Sequence, residues 1–489
     1  MLASESTPDA SGSHGVGAFR APRRRRLRLL IAGGAVLAWL GTAWWHTHKP
    51  LPPGERVAGR WYAAGPLQVR FIADVTAADA YGRPAVSHAA FDEMLRIVQS
   101  AREFVVIDAP RFTSGASLAA RLADALIARK QAQPGLRVLF IVDPVDVAPE
   151  GVPPDLARLQ GDGIDVIAAD LDPLRDSNYL YSSLWRLSAR WWLSRSSAVG
   201  ASLAAANLKA DRRNLVIGDD GEGSLAGVLS ATELSSAGRA DSNVAIRLAG
   251  PALVPLLASE IRIARSSGWS GVLGIPTVAE DARPAQAADP GLETRVLTEG
   301  AIRDALLRRI GAAGAAETVD IAAFYLSERA VIEALIAASR RGAAVRLILD
   351  PGEDAFGRSG AGIPNRSVAG ELLAASDGAI QVRWYRTHGE RYHASLAMIY
   401  GPRQLWLTVG SANFTRRSLD DYDLDANAAV VAPRDSAVAA QALDYFATLW
   451  SNKAGLGIEY TADVGVYADP SQLHYWRYRL MEATGLAMF

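Results

Sequence analysis

The sequence predicts an α/β protein of two similarly built lobes behind one apolar N-terminal helix, and three observations carry that expectation. The first is a repeat inside the chain. GLRVLFIVDP at 135–144 matches GAAVRLILDP at 342–351, each an apolar run ending in Asp-Pro, preceded by an Ala-rich stretch (117–132 and 329–341) with a Gly at its end. That is the pattern of a helix stopped by glycine and feeding a buried strand. The second is LVIGDDGEGSLAGVLSATEL at 215–234, which parallels LAMIYGPRQLWLTVGSANFT at 396–415: Leu215 stands opposite Leu396 and Ser230 opposite Ser411, at one common offset of 181 residues. Repetition on that scale points to two copies of one plan. The third is LLIAGGAVLAWLGTAWW at 29–45, an uncharged run of 17 residues directly after RRRRLR at 23–28. Its length is at the short limit for crossing a bilayer, and Trp44 and Trp45 suit the far interface.

Taken in chain order, residues 2–22 are rich in Ser, Gly, Ala and Pro without an apolar period, so 1–28 is expected to be a disordered tail. The arginine block places this tail in the cytoplasm and the bulk of the chain beyond a bacterial-type inner membrane, in the periplasm. A cleaved signal peptide competes with an anchor, because Gly41-Thr42-Ala43 is a passable small-residue site. A buried core helix is disfavoured by the arginines that abut the run. Residues 46–65, with KPLPPG at 49–54, read as a stiff spacer. The first lobe is expected over 66–272, with a helix at 88–101 and strands at 104–109, before Asp143 and at 164–168. The polar, Pro-punctuated stretch 273–293 reads as a linker. The second lobe follows over 294–489, with a helix at 300–312 and strands at 318–323, before Asp350 and at 380–385. Helices alternating with apolar strands argue for covered sheets.

Composition narrows the chemistry. A chain of 489 residues, 49% hydrophobic and 21% charged, can fill two or three cores. The absence of cysteine excludes a thiolate nucleophile, a cysteine zinc site and a disulfide. A formal charge of -1 gives no global reason to expect nucleic acid as a partner. The seven histidines, at 14, 46, 48, 88, 388, 393 and 474, leave few places for imidazole chemistry.

The stretch YHASLAMIYG at 392–401, followed by GSANFTRR, resembles the phospholipase D superfamily, whose motif is His-x-Lys-(x)4-Asp followed by Gly-Ser-x-Asn, once per lobe. ILDPGEDAFG, THGERYH, GSANFTRRSLDDYDLDAN and DSNVAIRLAG are also similar to a membrane-anchored bacterial, cardiolipin-synthase-like branch of it. The resemblance covers 66–489. It implies a site where two lobes meet and a covalent mechanism in which one histidine attacks phosphorus while the other protonates the leaving oxygen. Lysines and Ser/Asn donors then hold the phosphoryl oxygens, and no metal or other cofactor is required. Imidazole suits both proton and phosphoryl work because its pKa lies near neutrality.

This sequence departs from the pattern at several positions. Ser395 stands for the lysine and Tyr400 for the aspartate; in the first lobe Arg212 stands for the histidine and Asn214 for the lysine, and Asp219 alone is kept. Arginine, with a pKa above about 12, neither takes nor gives a proton at neutral pH, but it can grip a phosphate with two donors. The candidate site is therefore His393, with His388 as a possible second imidazole; Arg212, Asn214, Ser230, Ser395, Ser411 and Asn413 on phosphate; and Asp219 and Asp425 in support. The charge run from Arg416 to Asp425 otherwise reads as a solvated face. The expected function is binding of phospholipid phosphodiester head groups at the membrane with impaired turnover. The alternative is an active phospholipase D or phosphatidyltransferase with His393 as nucleophile.

Overall fold

The computed structural model describes residues 21–78, 81–110, 112, 117–147, 152–189, 207–220, 224–231, 234, 241–274, 291–352, 362–453 and 457–487. The expected tail before residue 21 and most of the expected linker (275–290) lie outside the described residues. The chain opens with α1 (Ala21–His48), and among the described residues one helix, Arg25–His48, is long and apolar enough to cross a membrane, with a mean hydropathy of 1.5.

The first half of the chain goes on with β1 (Tyr62–Ala63), β2 (Val69–Asp74), the small hairpin β3 (Thr76–Ala78) and β4 (Pro84–Val86), α2 (Ala89–Ser100), β5 (Phe104–Asp108), α3 (Ser117–Ala132), β6 (Arg137–Val142), α4 (Pro154–Gly161), β7 (Asp165–Ala168), α5 (Tyr179–Leu184), β8 (Leu215–Asp219), β9 (Leu225–Ser230), β10 (Asp241–Ala249) and α6 (Val254–Ser266). The second comprises β11 (Glu293–Thr298), α7 (Gly300–Ala312), β12 (Thr318–Ala323), α8 (Arg329–Arg340), β13 (Ala344–Leu349), α9 (Asn365–Ala375), β14 (Gln381–Tyr385), β15 (Arg391–Tyr392), β16 (Ser395–Tyr400), β17 (Gln404–Gly410), α10 (Arg416–Leu419), β18 (Ala426–Pro433), α11 (Ala437–Ser451), β19 (Thr461–Asp463) and α12 (Gln472–Thr484).

The two sheets have the same strand order. One runs β2-β10-β9-β8-β5-β6-β7 and the other β11-β18-β17-β16-β12-β13-β14. In each, the last three strands are parallel and the rest pair antiparallel. The inner parallel strands have helices over them, so they are largely buried, as in FVVID of β5 and DIAA at the end of β12. The covering helices are amphipathic: α2 turns Ala90, Phe91, Met94, Ile97 and Val98 inward at helical spacing. Three apolar clusters result. One fills the space between the sheets, where Phe71, Val244 and Leu248 meet Met398, Leu407 and Val430; the other two lie under the outer helices of each lobe. Fully burying one such Leu, Val or Phe contributes about 1.5–3 kcal/mol.

The expectation of a stiff spacer at 46–65 is corrected. Gly59 donates its N–H to the Val296 carbonyl at 2.9 Å, and β1 pairs antiparallel with β11, so this segment covers the edge of the second sheet. An open sheet edge carries unpaired backbone groups, and pairing them outweighs leaving the segment in water.

Candidate functional site

The ends of β5, β6, β12 and β13 and the starts of β8 and β16 gather at one end of the two sheets, because β8 and β16 run antiparallel to their neighbours. The lobes are stapled together there by two matching backbone crossings. His393 donates its N–H to the Ser242 carbonyl at 2.8 Å, where β15 pairs with β10. Arg212 donates its N–H to the Leu424 carbonyl at 2.9 Å, beside the bridge between Asp211 and Leu424. Arg212 and His393 thus enter their own sheets through equivalent contacts with the opposite lobe.

The side chains around the two crossings differ. Arg212 Nε lies 2.8 Å from Asp423 Oδ2, while Asp423 Oδ1 takes Arg417 at 3.0 Å and the Ala210 N–H at 2.9 Å. At the matching place on the other side, Arg391 grips both oxygens of Asp241 at 3.0 and 2.9 Å. His393 is buried, its ring edge-on to Phe324 at 4.9 Å. Ser411 donates its hydroxyl to Asp425 at 2.8 Å and accepts the Ala426 N–H at 3.1 Å. This closeness depends on Gly410, where a Cβ would lie 2.1 Å from the Ala426 carbonyl. Burial pushes the Asp425 carboxyl up to about 7; Asp423 adds to the effect and Arg212 opposes it.

The remaining expected site residues divide. Asn214 is buried beside the site, its carbonyl accepting the Ser230 N–H at 3.0 Å, and its Nδ2 has no hydrogen-bond partner among the described residues. Asn413 is buried in the short turn between β17 and α10. Ser395 is buried at the start of β16 with its hydroxyl donated to the Ala412 carbonyl. His388 lies in the loop before β15, with Nδ1 3.5 Å from the Glu390 carboxylate.

Asp219 is corrected from a site residue to a scaffold residue. It sits at the far end of β8 from Arg212 and accepts the N–H groups of Arg102, Glu103 and Phe104 at 2.9–3.0 Å, capping the entry to β5. Tyr400 occupies the corresponding end of β16, where its hydroxyl donates to Asp320 and accepts from Arg346, both at 3.0 Å. The solvated face expected over 416–425 is corrected too: Arg417, Asp421, Asp423 and Asp425 are all buried.

Two contributors escaped the sequence reading. Asp423 is the clamp on Arg212, and the parallel between Asp241-Ser-Asn and Asp423-Leu-Asp was the signal available for it. Arg213, fully buried, bridges Glu260 and Glu299 at 2.7 Å each and ties the segment carrying Arg212 to both lobes.

The same end of the molecule receives α1. Lys49 donates to the Asp172 carbonyl at 2.8 Å, and Asp176 donates its N–H to the His46 carbonyl at 2.9 Å. Asp176 also takes Arg186 and Lys209 at 2.7 Å each. Lys209 lies three residues before Arg212 in the chain.

Residues 306–450 match the family described as cardiolipin synthase, PLD-like domain. Across 88% of this chain and 96% of the other, the structure is similar to the phosphatidylserine synthase of Haemophilus influenzae Rd KW20, at 11% identity and a TM-score of 0.53. The domain at 306–450 and the fold are phospholipase D-like. A phospholipase D family member, Nuc from Salmonella typhimurium, is similar at 20% identity over 32% of this chain and 95% of that one, with a TM-score of 0.25. The polyphosphate kinase of Porphyromonas gingivalis is similar at 13% identity over 86% and 53%, with a TM-score of 0.48. No curated protein matches the sequence. The phospholipase D-like fold expected from YHASLAMIYG and GSAN is the fold observed.

Proposed function

We propose that the protein binds phospholipid phosphodiester head groups at a membrane surface and turns them over poorly. The observation that carries this reading is Arg212 at the position equivalent to His393. A guanidinium there is a permanent cation beside the seam, suited to a phosphate, and the Asn214 amide adds a donor with no protein partner among the described residues. Neither group can move a proton at neutral pH. A second imidazole would supply about 10²- to 10⁴-fold as general acid, and tighter ground-state binding does not replace it. The arrival of α1 at the site end supports a lipid rather than a nucleic acid as the phosphodiester.

The test is titration of short-chain phosphatidylglycerol into the detergent-solubilised full chain. Saturable binding that weakens in Arg212→Ala is expected; no saturable binding rejects the reading.

A second reading draws on Asp425. With its carboxyl pushed up to about 7, it holds a proton about half of the time at neutral pH. In this reading His393 attacks phosphorus, the leaving oxygen takes the Asp425 proton, and water later cleaves the phosphohistidine. Turnover abolished by Asp425→Asn would favour it.

A further inference from the structure

The outward face of the C-terminal helix is apolar. α12 turns Tyr478 and Glu482 into the protein, while Leu473, Trp476 and Leu480 are 75%, 64% and 64% exposed. Their spacing of three and four residues sets them on one stripe. A surface helix in water carries its apolar stripe inward, as Tyr475, Tyr478 and Met481 do here, so a second stripe left outside marks a face that meets something other than water.

Its place in the fold says what that is. α12 ends at Gly485, whose backbone comes so close to Ser177 that a Cβ would lie 1.6 Å from the Ser177 carbonyl. Arg416 bridges the same junction, donating to the Glu482 carbonyl at 3.1 Å and to the Tyr179 hydroxyl at 2.7 Å. Residues 176–179 in turn hold the end of α1, through the Asp176 N–H on the His46 carbonyl and the Tyr179 ring 6.2 Å from that of His48. From there α5 runs back along α1 until the Ser183 hydroxyl donates to the Trp39 carbonyl. At about 1.5 Å per residue, that point is roughly 13 Å up the helix from His48. Leu184 and Leu187, at the far end of this return, are also exposed.

We propose that α12 and the α5 turn lie in the headgroup–acyl boundary of the same bilayer that α1 crosses. The proposal rests on α1 being a membrane anchor. Trp476 beside Arg477 is the pairing such a boundary favours, with an apolar body below and a polar tip at the headgroups. One spanning helix alone would leave the body free to tilt. Two apolar ridges beside its exit fix the tilt, and with it the direction in which the Arg212–His393 end faces the lipid.

Because the chain has no cysteine, a single introduced cysteine carries a nitroxide label at one chosen place. Leu480→Cys, Leu37→Cys on α1 and Ala132→Cys at the end of the first lobe away from the site are labelled in the full chain and placed in phosphatidylglycerol-containing nanodiscs. Each label's relaxation is measured with oxygen, which concentrates in lipid, and with a water-soluble nickel chelate. The proposal expects residue 480 to favour oxygen as residue 37 does, at shallower depth, with nickel contact several-fold below that at 132. A label at 480 as open to nickel as that at 132 overturns it. So does one shielded from both agents, which would mean that a second copy covers the helix. If the label at 37 also sees nickel, the anchor reading itself falls.

Discussion

Arg212 and Asp423 form an ion pair at 2.8 Å across the seam between the lobes, and Arg391 and Asp241 form its counterpart at 2.9 Å. The two pairs sit beside the two backbone crossings, so each lobe contributes one carboxylate to hold a cationic segment of the other. Asp423 is wholly buried and also satisfies Arg417 and the Ala210 N–H. Removing it takes away the carboxylate that Arg212 and Arg417 both face. Asp423→Ala is expected to cost about 3–5 kcal/mol in denaturant unfolding of the solubilised chain. Arg212→Ala should cost less, since Arg417 still neutralises Asp423. Equal stability of Asp423→Ala and the parent would refute the clamp.

Arg213 is predicted to matter more for the fold than its neighbour. Burial opposes its charge, but Glu299 and Glu260 more than offset this and hold its pKa above the ordinary value. Arg213→Met abandons two buried carboxylates, with a loss of about 3–5 kcal/mol expected at pH 8. The loss should shrink at pH 5.5, where Glu299, its carboxyl pushed up to about 8 by burial, holds a proton. A loss that does not change with pH would argue against the bridge.

Stability should fall as pH rises through neutrality. Burial raises Asp425 and Glu482 to about 7 each and Glu299 to about 8. A carboxyl raised in the folded state keeps a proton that the unfolded chain has already released. Its contribution is complete below about pH 4 and is lost as pH climbs to 7–8. The melting temperature of the full chain is therefore expected to drop between pH 5 and pH 8, and Asp425→Asn should flatten part of that slope. A melting temperature that rises over this range would contradict it.

Tyr400→Asp tests which end of the sheet matters. Tyr400 stands where the family motif has its aspartate, yet it lies at the end of β16 away from His393, bonded to Asp320 and Arg346. The substitution is expected to lower the melting temperature and leave short-chain lipid binding unchanged. Altered affinity with unaltered stability would reverse that assignment.

The strands and helices were legible because their signals are local: apolar runs, amphipathic spacing and glycine stops recur at matching places in the two halves. The turn Gly410-Ser411 and His393 were legible for the same reason. The clamp was not. Asp423 forms part of a charge run, and nothing within ten residues shows that it meets Arg212 and the Ala210 N–H, some two hundred residues earlier in the chain. Asp219 misled because motif spacing does not say which end of a strand a side chain occupies. The segment 57–64 was missed because its pairing with an exposed sheet edge is a tertiary event and leaves no alternation in its own sequence.

The central claim is a phosphodiester site that binds with Arg212 and lacks a second imidazole. Its most direct test is phospholipid cleavage and head-group exchange by the purified full chain, with wild type and His393→Ala measured side by side. The account predicts that both stay near background while wild type still binds short-chain phosphatidylglycerol. Robust wild-type turnover that disappears in His393→Ala would contradict it.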